Sequence, residues 1–131
     1  MYSAQYSNPV IAFHVSQNRI RIYRCTLKDL GLPNYVQLLV NPVAGLLAVK
    51  GFQSKPKHQY HKVDYKRLIP KNSLDIHSGY LVKQLKLSCQ DIPDVDYYRI
   101  EGKSYPDDSV AVFRLADARI SLNEEDEDNA T

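Results

Sequence analysis

Arg19-Ile20-Arg21-Ile22-Tyr23-Arg24-Cys25-Thr26-Leu27-Lys28-Asp29-Leu30-Gly31 is the stretch from which the fold can be read. Its start alternates between polar and apolar residues, the period-two pattern of a half-buried strand, with Ile20 and Ile22 on one face and Arg19 and Arg21 on the other. The period then lengthens. Thr26 is a residue type that caps helices, Leu27 and Leu30 fall three apart on one helical face, and Gly31 supplies a left-handed stop, with Pro33 beyond it barring continuation. Upstream, residues 10–15 (VIAFHV) form a β-prone run that meets this strand across the turn-prone Ser16-Gln17-Asn18. Downstream, residues 35–40 are β-prone, residues 41–45 are a turn, and Leu46-Leu47-Ala48-Val49 return as the antiparallel partner. The unit is β-α-β-β.

The same pattern recurs after residue 70. Leu74-Asp75-Ile76 reads as a short strand, and Ser78 can cap a helix carrying Leu81 and Leu85, with Leu87 near its end. Residues 89–96 make an acidic loop, 97–103 (YYRIEGK) a strand, 104–108 a turn, and 110–115 (VAVFRL) its partner. The expected fold is α+β and mostly β: two similar β-α-β-β halves, residues 10–52 and 71–122, with antiparallel hairpins packed around a pseudo-dyad. Chance recurrence in a small α+β domain explains the pattern equally well. Residues 53–70 lose apolar periodicity and read as a basic connector, 1–9 as a flexible arm, and 123–131 as a disordered acidic tail. Residues 10–122 are thus one compact domain, of a size that buries roughly two thirds of its unfolded surface.

The 131 residues carry a formal charge of +2, which conceals a marked polarity. Glu124, Glu125, Asp126, Glu127 and Asp128 stand without a base in the last nine residues, so residues 1–122 hold 17 basic against 10 acidic side chains, a net +7. Most of the excess is in residues 50–71, where Lys50, Lys55, Lys57, Lys62, Lys66, Arg67 and Lys71 face Asp64 alone. Phe52, His58, Tyr60, His61 and Tyr65 are interleaved with these lysines, a mixture suited to phosphate neutralisation beside stacking on unpaired bases. Arg19, Arg21, Arg24 and Lys28 make a second basic set, in which two arginines on one strand face can lie along a phosphate backbone. Solubilising charge on a connector and on an edge strand accounts for both sets equally.

The run from Ile20 to Leu32, followed by a hairpin over 35–49, resembles the AbrB/MazE-type swapped-hairpin repeat. That resemblance implies half of a DNA-binding barrel, with Arg19, Arg21, Arg24 and Lys28 on the DNA-facing arm and the second β-α-β-β unit as the other half in the same chain. Tyr23 stands where that family usually has proline, and Pro33-Asn34 replaces its Gly-Asp turn. The chain also resembles small proteins of bacterial mobile elements, which implies no activity.

Catalysis is not expected. Cys25 and Cys89 form no CxxC pair and read as buried free thiols, and His58-x-x-His61 has no third ligand nearby in sequence. The aspartates at 91, 94, 96, 107 and 108 lack the cation-binding loop pattern and read as turn formers, and no Gly-rich phosphate loop exists among five glycines. No metal, cofactor or small-molecule substrate is expected, and no apolar run reaches the ~20 residues of a membrane span. The first residues lack the features of a secretory signal, so a cytoplasmic location is expected. The resulting expectation is a non-enzymatic nucleic-acid-binding module, a small transcriptional regulator with DNA favoured over RNA. The alternative is a protein-interaction module, a homodimer included, that uses some of the ten tyrosines and exposed hairpin edges. Nucleic-acid binding predicts that the arginine row and the connector lysines lie on one continuous face, and their lying on opposite sides would count against it.

Overall fold

The computed structural model describes residues 8–88 and 97–120, and the arm, the acidic loop and the acidic tail fall largely or wholly outside them. The chain is α+β and mostly β. Its elements in order are β1 (Val10–His14), β2 (Arg19–Tyr23), α1 (Arg24–Asp29), β3 (Tyr35–Asn41), β4 (Leu46–Phe52), β5 (His61–Lys62) and α2 (Tyr65–Lys71). β6 (Ser73–His77), α3 (Gly79–Ser88), β7 (Tyr97–Glu101), β8 (Lys103–Tyr105), β9 (Val110–Arg114) and β10 (Arg119–Ile120) follow, with a single 3-10 turn at Pro106–Asp108 and another at Leu115–Asp117.

The strands form two antiparallel five-stranded sheets, ordered β10-β7-β1-β2-β6 and β5-β3-β4-β9-β8. Alternation sends Ile11, Phe13, Ile20, Ile22, Ile76, Tyr98 and Ile100 from the first sheet into one core with Val36, Leu47, Val49, Ala111 and Phe113 from the second. Leu27 and Leu30 of the first helical turn region, Leu68 of α2, and Val82 and Leu85 of α3 complete it. β1 is buried along its whole length because it is central in its sheet and covered on both faces.

The local expectations hold at most boundaries, and where they do not, the causes are specific. Gly31 takes φ +84° and ends α1 as expected, and the Ser78 hydroxyl accepts from the Leu81 N–H at the start of α3. Thr26, however, is not a cap. The helix already begins at Arg24, and the fully buried Thr26 hydroxyl instead accepts from Val10 N–H and donates to Val10 C=O, both at 2.8 Å. The connector is also more ordered than its composition suggests. β5 pairs with β3, and the Asp64 carboxylate accepts from the Lys66 N–H to open α2, whose Leu68 enters the core.

The two β-α-β-β units differ in where their strands pair. In the first, β3 and β4 form one hairpin within the second sheet. In the second, β7 pairs with β1 in the first sheet, and only after Gly102 does the chain enter the second sheet, where β8 pairs with β9. The two hairpins are therefore not related by the expected pseudo-dyad. Gly102 makes the passage possible, since a Cβ there would meet the Val112 carbonyl oxygen at 2.4 Å and the Phe113 ring at 2.5 Å.

On the outer face of the first sheet, Arg21 bonds Asp75 with both ends of its fork, Nε to Oδ1 at 2.9 Å and Nη2 to Oδ2 at 3.1 Å. Burial acts to raise the Asp75 carboxyl, but the Arg21 bond, the Arg19 and Arg21 charges and the Ser73 hydroxyl outweigh it and hold Asp75 below the usual carboxylate range. The stabilisation is therefore present above that range and is lost as pH falls through the depressed value.

Two stability changes follow from these contacts, both measurable by urea unfolding. Gly102→Ala lowers stability by about 2 kcal/mol, because backbone and a core ring must move to admit a methyl group. Asp75→Ala lowers it by about 3 kcal/mol by leaving Arg21 buried without its carboxylate, and Asp75→Asn flattens the loss of stability on the acid side.

Candidate nucleic-acid interface

The structure separates the two basic sets. Arg19 and Arg21 do share a strand face, as the alternation of β2 requires, but that face belongs to the first sheet. Arg21 is 5% exposed and engaged with Asp75, and Arg19 lies 3.8 Å from the same carboxylate. Beside them, Arg99 meets Glu101 at 3.3 Å, and the Tyr23 and Tyr97 hydroxyls bond each other at 3.0 Å near Ala12. Arg21 therefore leaves the candidate set, since its fork is already used inside the protein. Arg24 is half-buried at the start of α1, and Lys28 is exposed near its end.

The connector residues divide between the second sheet, with its edge loop, and α2, which packs against β6 of the first sheet. Lys50 lies on β4 and Lys62 on β5, whereas Lys55 and Lys57 are exposed in the loop between those strands. Lys66 and Arg67 are exposed on α2, with Arg67 3.7 Å from Asp64. The Lys71 side chain lies outside the described residues. Lys50 and Lys62 thus lie on a different sheet from the arginine row, whereas Lys62 and Arg67 line a pocket with Ser73 and Asp75 at the β6 edge of the first sheet, so the α2 end of the connector approaches the carboxylate that holds Arg19 and Arg21.

Strand register shows what the second sheet presents outward. With Val36, Leu47, Val49, Ala111 and Phe113 directed into the core, their neighbours in sequence point the other way. Paired positions place Lys62, Tyr35 and Phe52 in one row across the sheet. Gln37, Lys50, Val110 and Tyr105 make the next, and Leu39, Ala48, Val112 and Lys103 the third. Asn41, Leu46 and Arg114 finish the face. None of these outward strand positions is acidic.

Cations and rings on this face are close neighbours. Lys50 Nζ sits 5.6 Å from the centre of the Phe52 ring, and Lys103 Nζ lies 5.5 Å from that of Tyr105, distances at which an ammonium is attracted to an aromatic face. At the β5 edge, Tyr60 packs edge-on against Tyr35 with ring centres 5.4 Å apart, and Lys55 Nζ is 5.5 Å from the Tyr60 ring. The Tyr60 hydroxyl beside Lys55 raises that ammonium above its usual value. Tyr35, Phe52 and Tyr60 are half-buried and Tyr105 is 42% exposed, which leaves ring surface open to a ligand.

At the far edge the face runs into a cleft of about 810 Å3 whose charged lining is mixed, Lys103, Arg114 and Arg119 with Glu101 and Asp117. Asp117 lies 3.9 Å from Arg114 at its rim. Two neighbouring features take other roles. Burial pushes the Tyr65 hydroxyl up to about 12, with Arg24 acting the other way, and that hydroxyl donates to the Pro33 carbonyl, fixing α2 to the loop before β3. Half-buried His61 is held below its usual value by desolvation.

Sequence reasoning did not include Lys103, Arg114 or Tyr35 in the interface. For Lys103 a signal was present in the repeated spacing Lys50-Gly51-Phe52 and Lys103-Ser104-Tyr105, which puts a lysine and a ring on the same side of a strand, whereas Tyr35 and Arg114 join the face only through strand pairing. Among the described residues, no three His, Cys, Asp or Glu side chains gather as a metal site, and no helix is long and apolar enough to cross a membrane. Cys25 is a half-buried free thiol, and Cys89 lies outside the described residues.

The division between the sheets is testable by thermal melting. Arg21→Gln lowers the melting temperature by roughly 5–10 °C because a buried pair is broken, whereas Lys103→Gln leaves it within about a degree because its ammonium faces solvent.

No family model matches the chain, and neither the curated proteins nor the solved structures contain a match to it.

Proposed function

We propose that the protein is a non-enzymatic nucleic-acid-binding module of regulatory type, and that it binds through the outer face of the second sheet. One observation carries this reading: a five-stranded sheet whose outward positions hold Lys62, Lys50, Lys103 and Arg114 among aromatic and small apolar side chains, with no acid among them. Such a surface attracts a polyanion through counterion release and offers it apolar area as well. The first sheet supports the same use less, because Arg19 and Arg21 are held by the largely buried Asp75 and Arg99 meets Glu101, whereas the Arg114–Asp117 contact of the second sheet is exposed. The proposal thus rests on the second sheet and departs from the DNA-facing arm that the swapped-hairpin resemblance implies.

A second reading has its own support. Leu39 is 50% exposed and Val43 at the β3–β4 turn is 97% exposed, apolar surface of the kind that protein partners cover. Self-association by laying this face on its own copy is opposed by charge, since four cations would confront a similar array.

Fluorescence anisotropy with a labelled oligonucleotide over a salt series tests the proposal. Five cations, Lys55 included, contacting phosphates give a log–log slope of about −3.5 on a single strand. Absence of binding at low salt, or affinity indifferent to salt, overturns the reading. Removing residues 123–131 deletes five acids from a chain whose remainder is net basic and strengthens binding, and light scattering at two concentrations checks the self-association alternative.

A further inference from the structure

We infer that the second-sheet face takes an unpaired nucleic-acid strand, with bases stacked on its rings, rather than an intact duplex. This rests on the nucleic-acid reading above and specifies its ligand. The first argument is shape. Five strands at about 4.8 Å spacing give a surface about 19 Å across, wider than the ~12 Å major groove that a helix or two-stranded ribbon can enter. The outward side chains therefore meet a duplex only at its phosphates, and the rings have nothing to stack on.

The second argument is the identity and placement of the side chains. Tyr35 and Phe52 are directly paired on β3 and β4, Tyr60 flanks Tyr35 at one edge, and Tyr105 lies at the other across Val110 and Lys50. Each of Phe52, Tyr60 and Tyr105 has a lysine ammonium within 5.6 Å of its ring centre. A base on such a ring brings its own phosphate near a cation already in place, which is the pairing a flexible single strand requires and a purely electrostatic surface lacks. An all-lysine face would serve a duplex as well. Here rings alternate with cations along the strands, as Lys50 with Phe52 and Lys103 with Tyr105.

The third argument is extent. The ~19 Å width accommodates at most about six nucleotides at the 3.4 Å stacked rise, within the range known for sheet-based single-strand sites. The cleft beyond Tyr105 and Lys103 sets Glu101 and Asp117 beside Arg114 and Arg119, so the basic path ends near the β8 edge.

The test compares a fluorescein-labelled mixed-sequence deoxyoligonucleotide of about twelve nucleotides with the duplex of the same sequence, using the full chain at low salt. The single strand binds at least about tenfold more tightly. Tyr105→Ala and Phe52→Leu each weaken single-strand binding about five- to tenfold while leaving the salt slope unchanged, and Lys50→Gln weakens it and reduces the slope by about 0.7. Unchanged circular dichroism and melting of Tyr105→Ala, a residue on a three-residue edge strand, separate lost stacking from lost fold. Equal or tighter duplex binding, or ring variants without effect, overturns this inference and leaves the nucleic-acid reading intact. Failure to bind either probe overturns both. Poly-glutamate competing as well as the oligonucleotide, base for residue, also overturns it, because the surface would then select acidic chains without regard to bases.

Discussion

The structure depends on a single crossing. At Gly102 the chain leaves the first sheet and enters the second without room for a Cβ, so one run of residues from Tyr97 to Tyr105 belongs to both layers. Tyr98 and Ile100 face the common core on one side of that point, and Ala111 and Phe113 of the neighbouring β9 face it on the other. The spacing between layers is set there by backbone contact and not by side-chain packing alone. Everything outward of the second sheet, including the alignment of Tyr105 with Val110 and Lys50, inherits its position from this passage.

The two sheets apply the same alternation to opposite ends. Each sends apolar residues inward, but the first closes its outer side with its own counter-charges, where Asp75 takes Arg21 and Arg19 and Glu101 takes Arg99. A buried fork of this kind fixes register and stabilises through hydrogen bonds that have already displaced water. The second sheet leaves its lysines without carboxylates on the outward strand positions and sets them over aromatic rings. Cations near rings keep much of their hydration and remain able to exchange water for another anion. Basicity is spread over both sheets; in the second, Arg114 approaches Asp117 and Lys50 donates to the Asp108 carbonyl, both contacts at exposed sites.

The sequence reading succeeded where local chemistry decides and failed where long-range pairing does. Strand alternation at Ile20 and Ile22, the left-handed stop at Gly31 and the Ser78 cap are written within a few residues and survive in the fold. Thr26 was misread because a hydroxyl that ties α1 to Val10 and one that caps a helix look identical in sequence. The helix α2 escaped notice since Leu68, which it sends into the core with Tyr65 packed partly buried beside it, stands among lysines and an arginine. Arg21 looked free for a phosphate because nothing local indicates that Asp75, more than fifty positions later, lies on the adjacent strand. The outer face of the second sheet was half visible, in Lys50, Phe52, Lys55, Tyr60 and Lys62, and half hidden, because Lys103, Tyr105 and Arg114 join it only through β8 and β9.

The pairing of β1 with β7 sets Val10 opposite Glu101, although β1 is also half of a hairpin with β2 and is held to α1 through Thr26. The N-terminal hairpin and helix can assemble from near neighbours, whereas joining β7 to them closes a loop of about ninety residues at a chain-entropy cost of about 4 kcal/mol. Such non-local closure places the protein among slower-folding β topologies. During synthesis the outer surface of the second sheet lacks two of its five strands until Arg114 has emerged, so a nascent chain carries its basic connector well before it has the rings and cations of β8 and β9 beside it.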